Sequence, residues 1–79
     1  MKYIYLVKNE RGTKEIYTSL ATACEAVEAL AESYREAAWA DRLPFSFFKT
    51  VDFEDVEAVE EIFNANCRRV DQIHSKYWD

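Results

Sequence analysis

The chain has 79 residues, a net charge of −5 and a pI of about 4.8. This length allows one domain, residues 1–79, and the negative charge disfavours direct binding to nucleic acid because phosphate backbones repel it. With one Gly, one Pro and 49% hydrophobic residues, the composition excludes a disordered or loop-built protein and predicts a packed core.

The first predicted element is a β-hairpin. Residues 2–8 carry β-branched and aromatic side chains on both faces, which is typical of a strand that is covered on both sides. Residues 9–13 are predicted to form the turn, because Gly12 adopts a positive φ at little cost. Residues 14–18 form the second strand.

A first amphipathic helix is predicted from a Ser19 cap to about Ala40. Apolar residues recur there at steps of three and four, as one face of a helix requires. The apolar positions are Leu20, Ala23, Val27, Leu30, Tyr34 and Ala38. The acidic row on a neighbouring face consists of Glu25, Glu28, Glu32 and Glu36.

The segment after this helix has two interpretations. Pro44 cannot lie inside a helix, so the chain must leave helical geometry there. The next residues, from Phe45 to Val51, are predicted to be a third strand that joins the hairpin, with Phe45, Phe47 and Val51 on one side and Phe48 on the other. An aromatic-rich loop packed beneath the helices is the alternative for the same residues.

The last predicted element is a long helix from Asp52 to Tyr77. Its apolar residues follow the helical period, and Asp52 can cap its first turn. Acidic residues at its start and basic residues at its end suit the helix dipole. The acidic residues of its first turns are Glu54, Asp55, Glu57, Glu60 and Glu61.

These elements predict an α+β fold with the order β-β-α-β-α. A small antiparallel sheet, made of the hairpin and the third strand, packs on two amphipathic helices. We expect both helices on the same face of the sheet, because their apolar stripes would then share one core.

Only one group of residues has the spacing of a catalytic or metal-binding site. Cys67, Asp71 and His74 are separated by steps of four and three, which would place them on one side of a helix. A zinc site needs a fourth ligand and a cysteine nucleophile needs an oxyanion hole, and neither is evident in the sequence. We therefore expect no enzyme activity, no metal and no cofactor.

The acidic helix faces have two interpretations: a solvated surface without a partner, which is the usual role of a charged helix face, or a surface that binds a basic partner. Successive glutamates along a helix rise by about 4.5–6 Å, which is of the same order as the spacing of charges along a nucleic acid. We expect these carboxylates to meet Lys or Arg side chains on the nucleic-acid-binding surface of a larger protein. The set is Glu25, Glu28, Glu32, Glu36, Glu54, Asp55, Glu57, Glu60 and Glu61.

A homodimeric structural or assembly protein is the alternative function. Asn66 interrupts the apolar stripe of the second predicted helix, as polar residues that set the register of paired helices do. The dimer interface would then include parts of Val59, Phe63, Val70 and Ile73. The sequence thus allows a monomer or a homodimer.

The N-terminal segment indicates where the protein is located, and the two cysteines raise the question of its redox state. The opening residues MKYIYLVKNE lack the pattern of a signal peptide, and no apolar run approaches the roughly 18–20 residues of a membrane span. We therefore expect a cytoplasmic protein without membrane contact. Cys24 and Cys67 are expected to be reduced thiols, and a disulfide between the two helices is the alternative.

In general style the sequence resembles small phage-encoded anti-defence proteins, including anti-CRISPR proteins. The shared features are a short acidic chain, an MKYIYLVKN-type opening strand, a tight hairpin and a Ser-capped helix. The resemblance implies a non-catalytic inhibitor that binds a larger host defence protein, such as a CRISPR effector, and covers the surface that reads DNA. It implies no role for any single residue.

Overall fold

The structure is a computed structural model and describes residues 1–75. The strands are β1 (Tyr3–Asn9), β2 (Lys14–Tyr17), β3 (Ala38–Pro44) and β4 (Asp71–His74). The α-helices are α1 (Leu20–Tyr34) and α2 (Val56–Ala65), and 3₁₀ turns occupy Phe45–Phe47 and Cys67–Arg69. Within residues 1–75, neither α-helix has the length and hydrophobicity that crossing a membrane requires.

The strands form one antiparallel sheet in the order β2-β1-β3-β4. The predicted α+β class and the order β-β-α-β-α are confirmed, and a fourth strand follows α2. The hairpin turn is also as predicted, since Gly12 has a φ of 87°. Asn9 holds the turn, because its Oδ1 accepts the N–H groups of Arg11 and Thr13.

The sheet lies between the two helices. Tyr5 and Val7 of β1 belong to one core with Val27 of α1. Leu6 of β1 belongs to a second core with Phe63 of α2. Alternate residues of a strand point to opposite faces, so the two cores lie on opposite sides of the sheet. The prediction that both helices share one face is therefore wrong, whereas β1 is covered on both faces as expected.

The first helix ends at Tyr34, well before the predicted end at Ala40. Arg35 adopts a left-handed conformation with φ 53° and ψ 41°. The N–H of Glu36 then donates to the carbonyl oxygen of Ala31 at 3.2 Å, which closes the helix with a Schellman-type cap. The sequence shows no sign of this cap, because the left-handed residue is not a glycine.

The chain enters β3 directly after this cap. Ala38 and Ala40 are fully buried in the core under α1, where small side chains let the helix lie close to the sheet. The predicted third strand, from Phe45 to Val51, is wrong in position, since Phe45 begins a 3₁₀ turn. Phe48 follows that turn and is buried under α2, so the loop alternative describes this segment better.

The second helix is much shorter than the range predicted from Asp52 to Tyr77. Asp55 caps α2, because its Oδ1 accepts a first-turn backbone N–H at 3.1 Å. Asp52, the predicted cap, accepts the N–H of Glu54 in the preceding turn instead. The cap therefore lies three residues later than the sequence pattern indicated.

Asn66 ends α2, and its Nδ2 donates to a carbonyl oxygen one helical turn earlier at 2.8 Å. After one 3₁₀ turn the chain becomes β4, an edge strand. Val70 packs against the core under α2 and Ile73 against the core under α1. A separation of three residues suits one face of a helix, and in an extended chain it places the two side chains on opposite faces, as observed here. The predicted helix is therefore wrong in this segment. Tyr77, the predicted end of this helix, lies outside the described residues.

Arg35→Gly is expected to raise the free energy of unfolding by about 0.5–1 kcal/mol. Arginine adopts the left-handed backbone only with strain, whereas glycine adopts it freely. The greater entropy of glycine in the unfolded chain offsets part of this gain. Urea denaturation measures the change, and Arg35→Ala, which removes the same side chain but keeps Cβ, is the control. An equal gain in both variants would contradict a strained cap.

Candidate functional site

The outer side of α1 carries an acidic face. Val27 and Leu30 of α1 are buried against the sheet, whereas Glu25, Glu28 and Glu32 are exposed to solvent. These three glutamates are termed the α1 acidic face. The helix contains no Lys or Arg, and no ion pair within residues 1–75 involves these carboxylates.

The stability of α1 does not explain this face. Glutamates at steps of three and four residues are neighbours on a helix, and each like-charge pair destabilises a helix by about 0.2–0.5 kcal/mol. Alanine at the same positions would relieve the repulsion and favour the helix. The α1 acidic face therefore does not stabilise the helix on which it lies.

Glu36, the fourth glutamate of the predicted row, lies after the end of α1 and is paired. Its Oε1 is 3.0 Å from Nη2 of Arg11 in the hairpin turn. The guanidinium of Arg11 also lies over the ring of Tyr34, 5.2 Å from the ring centroid. Glu36 thus connects the hairpin to the end of α1, and part of its charge is neutralised within the chain.

Glu60 of α2 also pairs within the chain. Lys8 and Lys14 lie directly opposite each other on β1 and β2, where like charges repel. Glu60 Oε1 lies 2.7 Å from Lys14 Nζ, and its Oε2 lies 3.2 Å from Lys8 Nζ. The hydrogen bond from Lys14 lowers the pKa of the Glu60 carboxyl, although burial opposes the shift. Glu60 therefore attaches α2 to the hairpin.

The remaining acidic residues near α2 are exposed, but they belong to the other side of the molecule. They are Glu54, Asp55, Glu57 and Glu61. No ion pair with another described residue involves them, although Asp55 is engaged as the N-cap. Because the sheet separates α1 from α2, the nine predicted residues do not form one surface. The structure brings together Glu25, Glu28 and Glu32.

The predicted group of Cys67, Asp71 and His74 does not lie on one side of a helix. Cys67 is in a 3₁₀ turn, while Asp71 and His74 are three residues apart in β4 and so point to opposite faces. Asp71 forms an ion pair with Arg42. Within the described range, no cluster of three His, Cys, Asp or Glu side chains could hold a metal. Cys24 and Cys67 are free thiols.

The residues predicted for a dimer interface lie mostly in the core of the single chain. Val59 and Phe63 are 0% and 3% exposed and pack in the core under α2. Val70 and Ile73 are half-buried and pack against opposite faces of the sheet. A second copy therefore cannot use the apolar stripe of α2 in the way the sequence pattern indicated.

Two grooves that the sequence analysis did not predict lie beside the edge strand β2. The larger, of about 540 Å³, lies at the end of β2 between the start of α1 and residues 51–54, and its apolar residues Ile16, Val51 and Phe53 pack against the core under α2. The smaller, of about 330 Å³, lies between β2 and α1. The larger is lined by Ile16, Tyr17, Thr18, Thr22, Val51, Asp52, Phe53 and Glu54. The smaller is lined by Glu15, Tyr17, Ala26, Ala29, Leu30 and Ser33. The predicted strand at residues 14–18 was the sequence signal for this edge.

Tyr17 belongs to both grooves. Its hydroxyl donates a hydrogen bond to Glu15 Oε1 at 2.9 Å. Burial raises the pKa of Tyr17 above the ordinary value for tyrosine, and this hydrogen bond raises it further. The hydrogen bond to Glu15 holds the Tyr17 side chain in place on the edge strand.

Comparisons with protein families, with curated proteins and with solved structures find no match to this chain. The described residues present two surfaces on which another molecule could bind, the α1 acidic face and the grooved edge of β2.

Proposed function

We propose that this protein is a non-catalytic inhibitor that binds a basic, nucleic-acid-binding surface of a larger protein through the α1 acidic face. The observation that supports this most is the exposed row of Glu25, Glu28 and Glu32, which lacks a cation partner within residues 1–75. Such carboxylates can pair with Lys and Arg side chains that otherwise contact phosphates. A host defence protein such as a CRISPR effector is the partner that the resemblance suggests.

The dimensions of α1 suit this role. A helix of 15 residues is about 22 Å long, and Glu25 and Glu32 are about 10 Å apart along its axis. That distance corresponds to about three phosphate spacings along one nucleic-acid strand, since successive phosphates are about 3.4 Å apart along the axis. Long-range attraction between the negative face and a positive channel would also accelerate association, most strongly at low salt.

Competition against DNA tests the proposal. A panel of basic DNA-binding proteins, including guide-loaded CRISPR effectors, is incubated with labelled DNA and increasing amounts of this protein. We expect it to displace DNA from at least one panel member, and to do so more weakly as salt rises. The triple variant Glu25→Lys, Glu28→Lys, Glu32→Lys is expected to inhibit at least about tenfold more weakly, because three attractive contacts become repulsive.

The matched control is the triple variant Glu54→Lys, Glu57→Lys, Glu61→Lys, which makes the same change of net charge on the other side of the sheet. We expect it to keep most of the inhibition. Equal loss in both triple variants would show that net charge alone matters and would contradict a role for the α1 acidic face. If the protein displaced DNA from none of the panel members at low salt, that result would contradict the inhibitor function itself.

A further inference from the structure

We propose that the free edge of β2 binds an extended, basic segment of another protein as a fifth strand of the sheet. This inference goes beyond the proposed function and does not use the α1 acidic face. β2 is the end strand of the order β2-β1-β3-β4, so in the described part of the chain it pairs with β1 alone. Backbone groups on an unpaired edge are a template for another strand.

Both grooves lie beside this edge, and their apolar residues belong to opposite faces of the sheet: Ile16, Val51 and Phe53 pack with the core under α2, and Tyr17 and Leu30 with the core under α1. Successive side chains of a bound strand point to opposite faces, so alternate residues would enter the two grooves. On the α2 side they would meet the half-buried side chains of Ile16, Val51 and Phe53. On the α1 side they would meet Tyr17 and the buried Leu30. Both faces therefore offer apolar surface to the added strand.

The charge around both grooves indicates the chemistry of the bound segment. Asp52 and Glu54 line the groove on the α2 side, and Glu15 lines the groove on the α1 side. No Lys or Arg is among the residues that line either groove in the described chain. Lys14 of β2 is engaged by Glu60. The complementary ligand is an extended segment that combines Lys or Arg with apolar residues.

A second copy of this chain is a poorer occupant of the same edge. Antiparallel pairing of two β2 strands, each four residues long, would bring the Glu15 side chains of the two copies close together. It would also bring together the acidic residues that line the grooves, Asp52 and Glu54 among them. Like charges across neighbouring strands are destabilising, so charge favours a basic partner over self-association.

A synthetic peptide tests the inference on the full chain. The probe is a blocked seven-residue peptide of alternating valine and lysine, titrated into the isotope-labelled protein and followed by NMR. We expect chemical-shift changes concentrated on β2 and the two grooves, slower hydrogen exchange of β2 amides, and a Kd on the order of 100 μM. A fully N-methylated form of the peptide, which cannot donate backbone hydrogen bonds, is expected to lose binding.

Charge variants distinguish strand addition at this edge from nonspecific attraction between the acidic protein and the basic peptide. Glu15→Lys with Glu54→Lys is expected to weaken binding of the valine–lysine peptide at least about tenfold. The matched control, Glu57→Lys with Glu61→Lys, changes net charge equally outside the grooves and is expected to bind nearly as the wild type does. Unchanged shifts elsewhere in the NMR spectrum confirm that both variants are folded.

Several results would overturn the inference. These are equal binding of a valine–glutamate peptide, retained binding of the N-methylated peptide, and shift changes centred away from β2. A concentration-dependent doubling of mass, with protection of β2 amides in the absence of peptide, would show instead that a second copy occupies the edge.

Discussion

Phe48→Ala is expected to lower the free energy of unfolding by about 3–5 kcal/mol, whereas Phe45→Ala lowers it by about 1 kcal/mol. Phe48 is 2% exposed and lies in the core under α2. Its ring centroid is 5.9 Å from that of Phe53 and 5.5 Å from that of Phe63, so its removal also breaks two aromatic contacts. Phe45 is 39% exposed and leaves little unfilled space when truncated.

The order of these two effects distinguishes the observed 3₁₀ turn from the strand predicted for the same residues. In a strand from Phe45 to Val51, Phe45 and Phe47 would point to the buried side and Phe48 away from it. Urea denaturation of both variants measures the effects, and Phe48→Leu serves as a milder change if the alanine variant is largely unfolded. A larger loss for Phe45→Ala than for Phe48→Ala would contradict the observed packing.

Glu60→Lys is expected to lower the free energy of unfolding by about 2–3 kcal/mol, whereas Glu61→Lys changes it by less than about 0.5 kcal/mol. The first substitution removes the contacts to Lys8 and Lys14 and places a third ammonium group beside two that already face each other. Glu61 is exposed and makes no ion pair with a described residue. Chemical denaturation at neutral pH measures both variants, and equal effects would contradict a structural role for Glu60.

The contribution of Glu60 is also expected to depend on pH. Because the hydrogen bond from Lys14 lowers the pKa of this carboxyl below its ordinary value of 4.5, the folded state binds the proton less tightly than the unfolded state does. The stabilisation is therefore complete above the unfolded pKa and is lost as pH falls through the lower pKa of the folded state. The difference in unfolding free energy between wild type and Glu60→Gln should shrink below pH 4.5. A difference that grows on acidification would contradict this pairing.

The parts of the fold that depend on neighbouring residues could be predicted from the sequence. Gly12 indicated the turn because glycine adopts a positive φ at little cost, and it has a positive φ in the structure. Ser19 indicated the start of α1 because its hydroxyl can accept a first-turn N–H, which in the structure is that of Thr22. The apolar residues on both faces of β1 indicated that both faces are covered. The prediction that both helices lie on one face conflicted with this indication. In the structure one helix covers each face of the sheet, as the apolar residues of β1 indicated.

The strands that follow the two helices could not be predicted, because they pair in the sheet with residues that are distant in sequence. Ala38 and Ala40 favour a helix locally, yet they form the strand between β1 and β4. Val70 and Ile73 suit a helical stripe, yet Val70 directly precedes the edge strand β4, Ile73 lies within it, and the two pack against opposite cores. In such segments strand pairing and burial outweigh local propensity.

The candidate site was predicted only in part, because some of its residues make contacts with residues distant in sequence. Helical periodicity correctly placed Glu25, Glu28 and Glu32 on an exposed face, because that pattern is local. Glu36 and Glu60 have the same sequence character, but they meet cations from the hairpin that only the tertiary fold brings near. The grooves beside β2 likewise combine segments that are far apart in the chain.

The position of the sheet between the two helices decides which carboxylates share a surface, and interproton NOEs test it most directly. Val27 of α1 is expected to show NOEs to Val7, and Phe63 of α2 is expected to show NOEs to Leu6. No NOE is expected between Val27 and Phe63, because the sheet lies between them. A direct NOE between Val27 and Phe63 would place both helices on one face and contradict the layered arrangement.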